Sequence, residues 1–315
     1  MNYSVKAAFG LLMLGVATSA AAADYPAKTV TMIVPYGAGG ITDTMGRITA
    51  AEMQKTLGEK IVVVNKNGAA GTIGMTEVAR ARPDGYTVAM IPAAPLSIQP
   101  HLRALNYDLG SYTYICQTFS SPVVLSTAPD SQFSNFAEVI EYAKAQPGEL
   151  TYSSAGPGSL PHISMVRVLK EAGVEMRHVP MEGDSGAITG ALGKHVDLAI
   201  IAASSVVGKE VKTVAVFAPE RIEQLSGAPT AKEAGYDYDF SLWGGVIAPK
   251  GIPGEAQTAL SAACETAVGS EEYATEMAKM VSKPVYRSGP DFEAFAAEES
   301  RINSEIISAL NLTGG

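Results

Sequence analysis

Gly37, Gly39 and Gly40 fall between an apolar, β-branched run, TVTMIV at 29–34, and a helical pattern that starts near Thr42. Glycines at a strand-to-helix turn let backbone N–H groups approach a guest closely, and a helix N-terminus adds roughly half a positive charge. The chemistry on offer is capture of an anion. A second turn of this kind lies at SSAGPGSLPH, 153–162, where Ser153, Ser154 and Ser159 add hydroxyls and His162 sits in the first helical turn. No lysine or arginine stands between Lys28 and Arg47, or between Lys144 and Arg167. Amides and hydroxyls would have to do the holding, each helix terminus contributing roughly 0.3–1 kcal/mol and each charge-assisted hydrogen bond about 1.5–3 kcal/mol. One glycine turn is common at simple chain reversals; two suit a small acid gripped between half-sites.

Asp43 admits two roles. A carboxylate in a first helical turn can satisfy orphan N–H groups, or, turned toward the guest, it would repel an acid and favour an ammonium group. His162 either faces the guest or is satisfied by nearby backbone, while His101, His178 and His195 read as structural. Competing motifs fit poorly. GAGGIT puts Thr42 where the third glycine of a dinucleotide fingerprint belongs, and GALGKH at 190–195 lacks phosphate-loop spacing. EGDSGA at 182–187 has the look of a serine nucleophile loop but reads as a helix start capped by Asp184 or Ser185. With four histidines and no C-x-x-C there is no metal signature, and no cofactor is expected.

The elements that must position these residues form an alternating series. Strands are predicted at 29–34, 60–65 and 86–91, with helices over 42–57 and 72–82. A second series begins after Pro122: strands at 122–128, 150–154, 178–180, 197–201 and 211–217, with helices over 135–148 and from the second glycine turn to about Gly173. Two such series predict two α/β lobes with mainly parallel sheets flanked by helices. Helices follow around 254–268, 271–281 and 290–310, starting near Pro253 and Pro290; a tail of this kind packs back on an earlier lobe.

Residues 1–23 carry a weakly basic start, an apolar run from Ala7 to Ala17 and Ala21-Ala22-Ala23 before Asp24, the pattern of a secretory leader cleaved after about Ala23. The apolar run is too short for a membrane span, which needs ~20 residues. A formal net charge of −9 disfavours nucleic acid and anionic membranes as partners. Cys116 and Cys264 could pair in an oxidising compartment, yet both lie in apolar contexts, TYICQTF and ALSAACETAV, and buried free thiols are the favoured expectation.

The ordered motifs YPAKTVTMIVPYGAGGITDTMGR, VVVNKNGAAGTIG, ARPDGYTV, LTYSSAGPGSLPH, HVPMEGDSGAITGALGKHVDLAI, GAPTAKEAGY and LWGGVIAPKGIP span nearly the whole mature chain. Together they resemble the substrate-binding proteins of tripartite tricarboxylate transporters, the Bug or TctC-like family. The resemblance implies a periplasmic binding protein fold, type II-like, whose two lobes are joined by crossing strands and close on a carboxylate. On this division 1–23 is the leader, 24–125 opens lobe 1, 126–240 is lobe 2 and 241–315 returns to lobe 1. The ligand loops it implies are Tyr36, Gly37, Ala38, Gly39, Gly40, Thr42 and Asp43 in lobe 1, and Ser153, Ser154, Ala155, Gly156, Gly158, Ser159 and His162 in lobe 2. The IPAAP turn at 91–95 would add a third wall through Ala93 and Ala94. The sequence departs from the family in having Met181 where an aromatic residue usually follows HVP, and in a short 203–212 connection.

The function implied is a periplasmic, monomeric, non-enzymatic solute receptor. It would deliver a di- or tricarboxylate, an aromatic acid or an acidic amino acid to membrane transporter subunits. Two rivals stay open: an exported hydrolase using Ser154 or Ser159 with His162, and a receptor that hands its ligand to a signalling partner.

Overall fold

The computed structural model describes residues 25–181, 183–225 and 227–309, so the leader and its cleavage site lie outside the described residues. Strand β1 (Val30–Val34) shows why TVTMIV lacks polar alternation. Val30, Met32 and Val34 pack with Met45 and Met53 of helix α1 (Ile41–Leu57), while Ile33 packs on the other face with Met75 and Val78 of α2 (Thr72–Arg80). A strand covered by helices on both faces has no polar side. β2 (Ile61–Asn65) and β3 (Thr87–Pro92) flank β1 in parallel.

The chain forms two α/β lobes, and their sheets are mixed. From β3 the first sheet continues through antiparallel β9 (Ser241–Pro249) to β4 (Tyr112–Thr127), with β10 (Lys283–Ser288) antiparallel to β4. β4 then changes partners. Its residues up to Pro122 pair with β9, whereas Val123 to Thr127 pair with β7 (Leu198–Ala202) and β8 (Lys212–Phe217). β5 (Thr151–Ser154) and β6 (Arg177–Pro180) extend the second sheet in parallel from β7. The hydrophobic pattern shows only the end of β4, from 122, because buried Gln117, Thr118 and Ser121 interrupt the apolar run before it.

The other predicted helices appear close to their expected spans: α5 (Phe136–Ala145), α6 (Leu160–Ala172), α7 (Gly183–Leu192), α8 (Gly254–Val268), α9 (Glu271–Lys279) and α10 (Gly289–Ala309). The IPAAP stretch differs from the turn expected of it, since β3 runs through Pro92 and a short helix α3 (Ala93–Ser97) starts at once, followed by α4 (Gln99–Leu102). The C-terminal helices do pack back on the first lobe. α8 lies along α1, and Phe292 of α10 meets Trp243 and Tyr114 edge-on.

The expectation of free thiols is corrected: Cys116 and Cys264 form a disulfide that ties β4 to α8. Apolar flanks suit a buried thiol and a buried disulfide equally. The contact between β4 and α8 that decides the matter spans a separation of 148 residues and is invisible in local pattern. Among the described residues no helix is long and apolar enough to cross a membrane.

Candidate functional site

Three helices of the first lobe begin together without caps. α1 starts on Gly40, α2 on Gly71 and α3 on Pro92, none with a side-chain hydrogen bond to its first turn. Asn135, Ser159 and Ser270 do cap α5, α6 and α9. α8 also begins uncapped, on Pro253, but at the opposite end of the strands, where Ala256 meets Gly85 just before β3. The three uncapped ends are neighbours: the Tyr36 hydroxyl donates to the Ala70 carbonyl at 3.2 Å, and a Cβ on Gly71 would lie 3.2 Å from Pro95 and 3.3 Å from the Tyr36 ring. Gly37, Ala38, Gly39 and Gly40 are exposed. Uncapped first turns leave N–H groups without partners, and their dipoles add at one place, so the cluster is a ready seat for an anion.

Asp43 points inward and holds this seat in shape. Its carboxylate accepts from the Gly39 amide and from Asn65 Nδ2, each at 2.9 Å, and pairs with Arg47 at 2.9 Å. Burial pushes its carboxyl up, but the hydrogen bonds from Arg47, Gly39 and Asn65 outweigh burial and hold it below the usual carboxylate range. Asn65 also donates to the Tyr36 carbonyl at 2.9 Å. Asn65 and Arg47 are positioning residues that the sequence pattern did not single out. Thr42, one residue before Asp43, is buried in the first turn of α1. Next to this loop, Gly68, Ala69, Ala70 and Gly71 all have positive φ, at 127°, 46°, 53° and 89°. Two consecutive alanines in the left-handed region cost about 1–3 kcal/mol each and persist only where neighbours hold them. Here the Thr72 hydroxyl binds the Ala69 carbonyl at 2.9 Å and Tyr36 binds that of Ala70.

The second-lobe turn is mostly satisfied by itself. Gly156 N donates to Ser154 Oγ, Gly158 N to His162 Nδ1, Ser159 N to the Gly156 carbonyl and His162 N to Ser159 Oγ. Ser153 is fully buried, its hydroxyl shared between the carbonyls of Ala187 and Leu198. Ser159 is a helix cap.

His178, read from sequence as structural, belongs to this wall. Its Nε2 lies 2.9 Å from Ser154 Oγ, and its ring stacks between Tyr152 and His162 at centroid distances of 4.9 and 4.2 Å. The signal was the β5–β6 register, which sets Tyr152 beside His178 and Ser154 beside Pro180 and cannot be read from either strand alone. Burial, and then the neighbouring His178, pull the His162 pKa down to about 4; burial also lowers that of His178. Both imidazoles are neutral at pH 7.

The proposed serine-type pairing of Ser154 or Ser159 with His162 is absent: Ser154 contacts His178, Ser159 caps α6 and His162 accepts from Gly158. Asp184 is not a helix cap either. It lies within the first turn of α7, and its carboxylate accepts from Ala202 N at 3.1 Å and the Ser205 hydroxyl at 2.6 Å. Burial raises its carboxyl above the ordinary range against the pull of those two bonds.

The lobes meet where Gly158 faces α4. A Cβ there, at φ +70°, would come within 2.5 Å of Leu102 Cδ1 and 3.4 Å of Gln99 Nε2. Behind α6, a cavity of about 60 Å³ is lined by Ser164, Arg167, Ser241, Glu299 and Asn303 among others. Arg167 there is bonded to Glu171 at 2.7 Å. No cluster able to hold a metal ion occurs among the described residues.

The model of the family described as "Tripartite tricarboxylate transporter family receptor" matches residues 45–312. The UPF0065 protein in the gbd 5' region of Cupriavidus necator is 31% identical over 314 residues, covering 98% of this chain and 95% of the relative. A solved R. palustris protein with adipate superposes with a TM-score of 0.81 at 27% identity, covering 90% of this chain and 98% of that one. MatC from Rhodopseudomonas palustris, with bound malate, gives a TM-score of 0.78 at 28% identity, covering 90% of this chain and all of that one.

Proposed function

We propose, since this chain belongs to the family of tripartite tricarboxylate transporter receptors, that it is an exported, non-enzymatic receptor. It captures a small organic carboxylate between its lobes and presents it to the membrane subunits of a transporter. The observation that carries this reading is the convergence of three uncapped helix starts at Gly40, Gly71 and Pro92 in a place with exposed backbone and a neutralised Asp43. Donors there are fixed before the ligand arrives, so little ordering opposes binding. The proposed contacts are Tyr36, Gly37, Ala38, Gly40, Thr42, Ala93 and Ala94 from lobe 1. From lobe 2 they are Ala155, the Gly156–Gly158 turn and the Ser154, His162 and His178 wall. Asp43, Gly39, Ser153 and Ser159 shape the site without touching the ligand.

The solved relatives with adipate and malate support a carboxylate as the ligand class. The division into 24–125 with 241–315 and 126–240 makes two bodies hinged at β4 and at the entry to β9. A ligand touching both drives closure, because only the closed form offers it all contacts. Isothermal titration against mono-, di- and tricarboxylates, aromatic acids and acidic amino acids tests the reading; at least one acid should bind tightly, and a folded protein that binds none would overturn it. The same protein with Ser154→Ala separates receptor from hydrolase, since a receptor turns over nothing with or without that hydroxyl.

A further inference from the structure

Gln99 lies on α4, just past the α3 start that forms one wall of the proposed site, and only 1% of its surface is exposed. Its Oε1 is buried with no hydrogen-bond partner. Buried polar atoms in folded proteins are nearly always paired, so an orphan at a binding seam points to a missing partner. The carboxamide abuts the second lobe, with Nε2 3.4 Å from the place a Gly158 Cβ would occupy.

Across the seam, the Gly158 amide is already given to His162 Nδ1. Leu102, the other α4 residue at this contact, offers no polar group. The protein supplies an acceptor at the lobe seam and nothing to fill it.

We infer that Gln99 Oε1 accepts a hydrogen bond from the ligand, so that the site selects an acid carrying a second donor, a hydroxyl or an ammonium, over the plain acid of the same skeleton. This deepens the receptor reading and rests on it. The carboxylate binds the uncapped helix starts of lobe 1, and the donor group meets Gln99 as lobe 2 closes over it. A plain acid leaves the amide oxygen unpaired in the closed form. A site built to pair with a polar group discriminates against the analogue lacking it, here by about tenfold or more.

The test is titration of the full mature chain with three matched sets: succinate, malate and aspartate; glutarate, 2-hydroxyglutarate and glutamate; propionate, lactate and alanine. In at least one set a hydroxy or amino acid should bind about tenfold or more above the plain acid. Gln99→Met, which keeps length and loses the acceptor, should bring the substituted and plain acids of that set level. Gln99→Glu, which keeps an acceptor and loses the donor, should retain the preference. Plain acids binding as well as their substituted partners in the wild type overturn the inference with no variant needed. So does a preference that survives Gln99→Met, or one that Gln99→Glu abolishes. Binding of no acid in any set, nor of any acid in the wider carboxylate panel, overturns the receptor reading itself.

Discussion

Asp43 acts on the proposed site through the shape it imposes. Its buried carboxylate fixes the Gly39 amide, Asn65 and Arg47 in one network. Asp43→Ala should lower stability by about 2 kcal/mol, the scale of hydrogen bonds to a charged group, and should weaken acid binding by about tenfold as the turn loosens. Thermal melts and titration read the two effects on one sample. His162 sets a pH limit. The unfolded chain takes up its proton near pH 6.5 and the folded imidazole only near 4, so stability is full above 6.5 and falls as the pH drops from 6.5 to 4. The loss should approach about 3 kcal/mol, and His162→Phe should flatten that part of the profile in urea melts. At this scale the sequence made the glycine turns legible, because the need for glycine and for a first-turn carboxylate is local. It left the direction of Asp43 open and missed His178. Those depend on Asn65 arriving from β2 and on the register of β6 against β5, which are tertiary facts.

Helix starts, rather than side-chain charges, define the proposed site at the level of elements. The strand and helix alternation around β1, β2 and β3 is legible because each strand is short, apolar and followed by a helix with its own period. α3 was not, since IPAAP carries too few residues to show a period, and β4 was hidden by polar side chains that are buried only because it is flanked on both sides. Gly158 is the contact between elements most open to test. Gly158→Val would place a side chain against Leu102 at a φ that L residues rarely adopt, so closure should be hindered and acid affinity should fall at least tenfold. Titration together with the melting temperature separates lost closure from lost folding. The disulfide between β4 and α8 should contribute about 2–5 kcal/mol. Denaturant melts with and without dithiothreitol should show a loss of that size, and coincident curves would contradict it.

In the proposed receptor the two lobes, joined through β4 and the Phe240–Ser241 step, close on the ligand about these crossings. The two-lobed α/β architecture was legible from the two alternating series; the mixed sheet was not, because the strands that cross between lobes pair antiparallel with both. Scattering profiles of the protein with a bound acid should show a smaller radius of gyration than without it. The central claim is that backbone amides of uncapped helices, with no lysine or arginine, neutralise the ligand's carboxylate. A crystal structure with the tightest-binding acid tests this most directly. The carboxylate oxygens should lie about 3 Å from amides at the starts of α1, α2 and α3. A carboxylate paired with Arg167, or seated anywhere with a basic side chain as its main partner, would contradict the account.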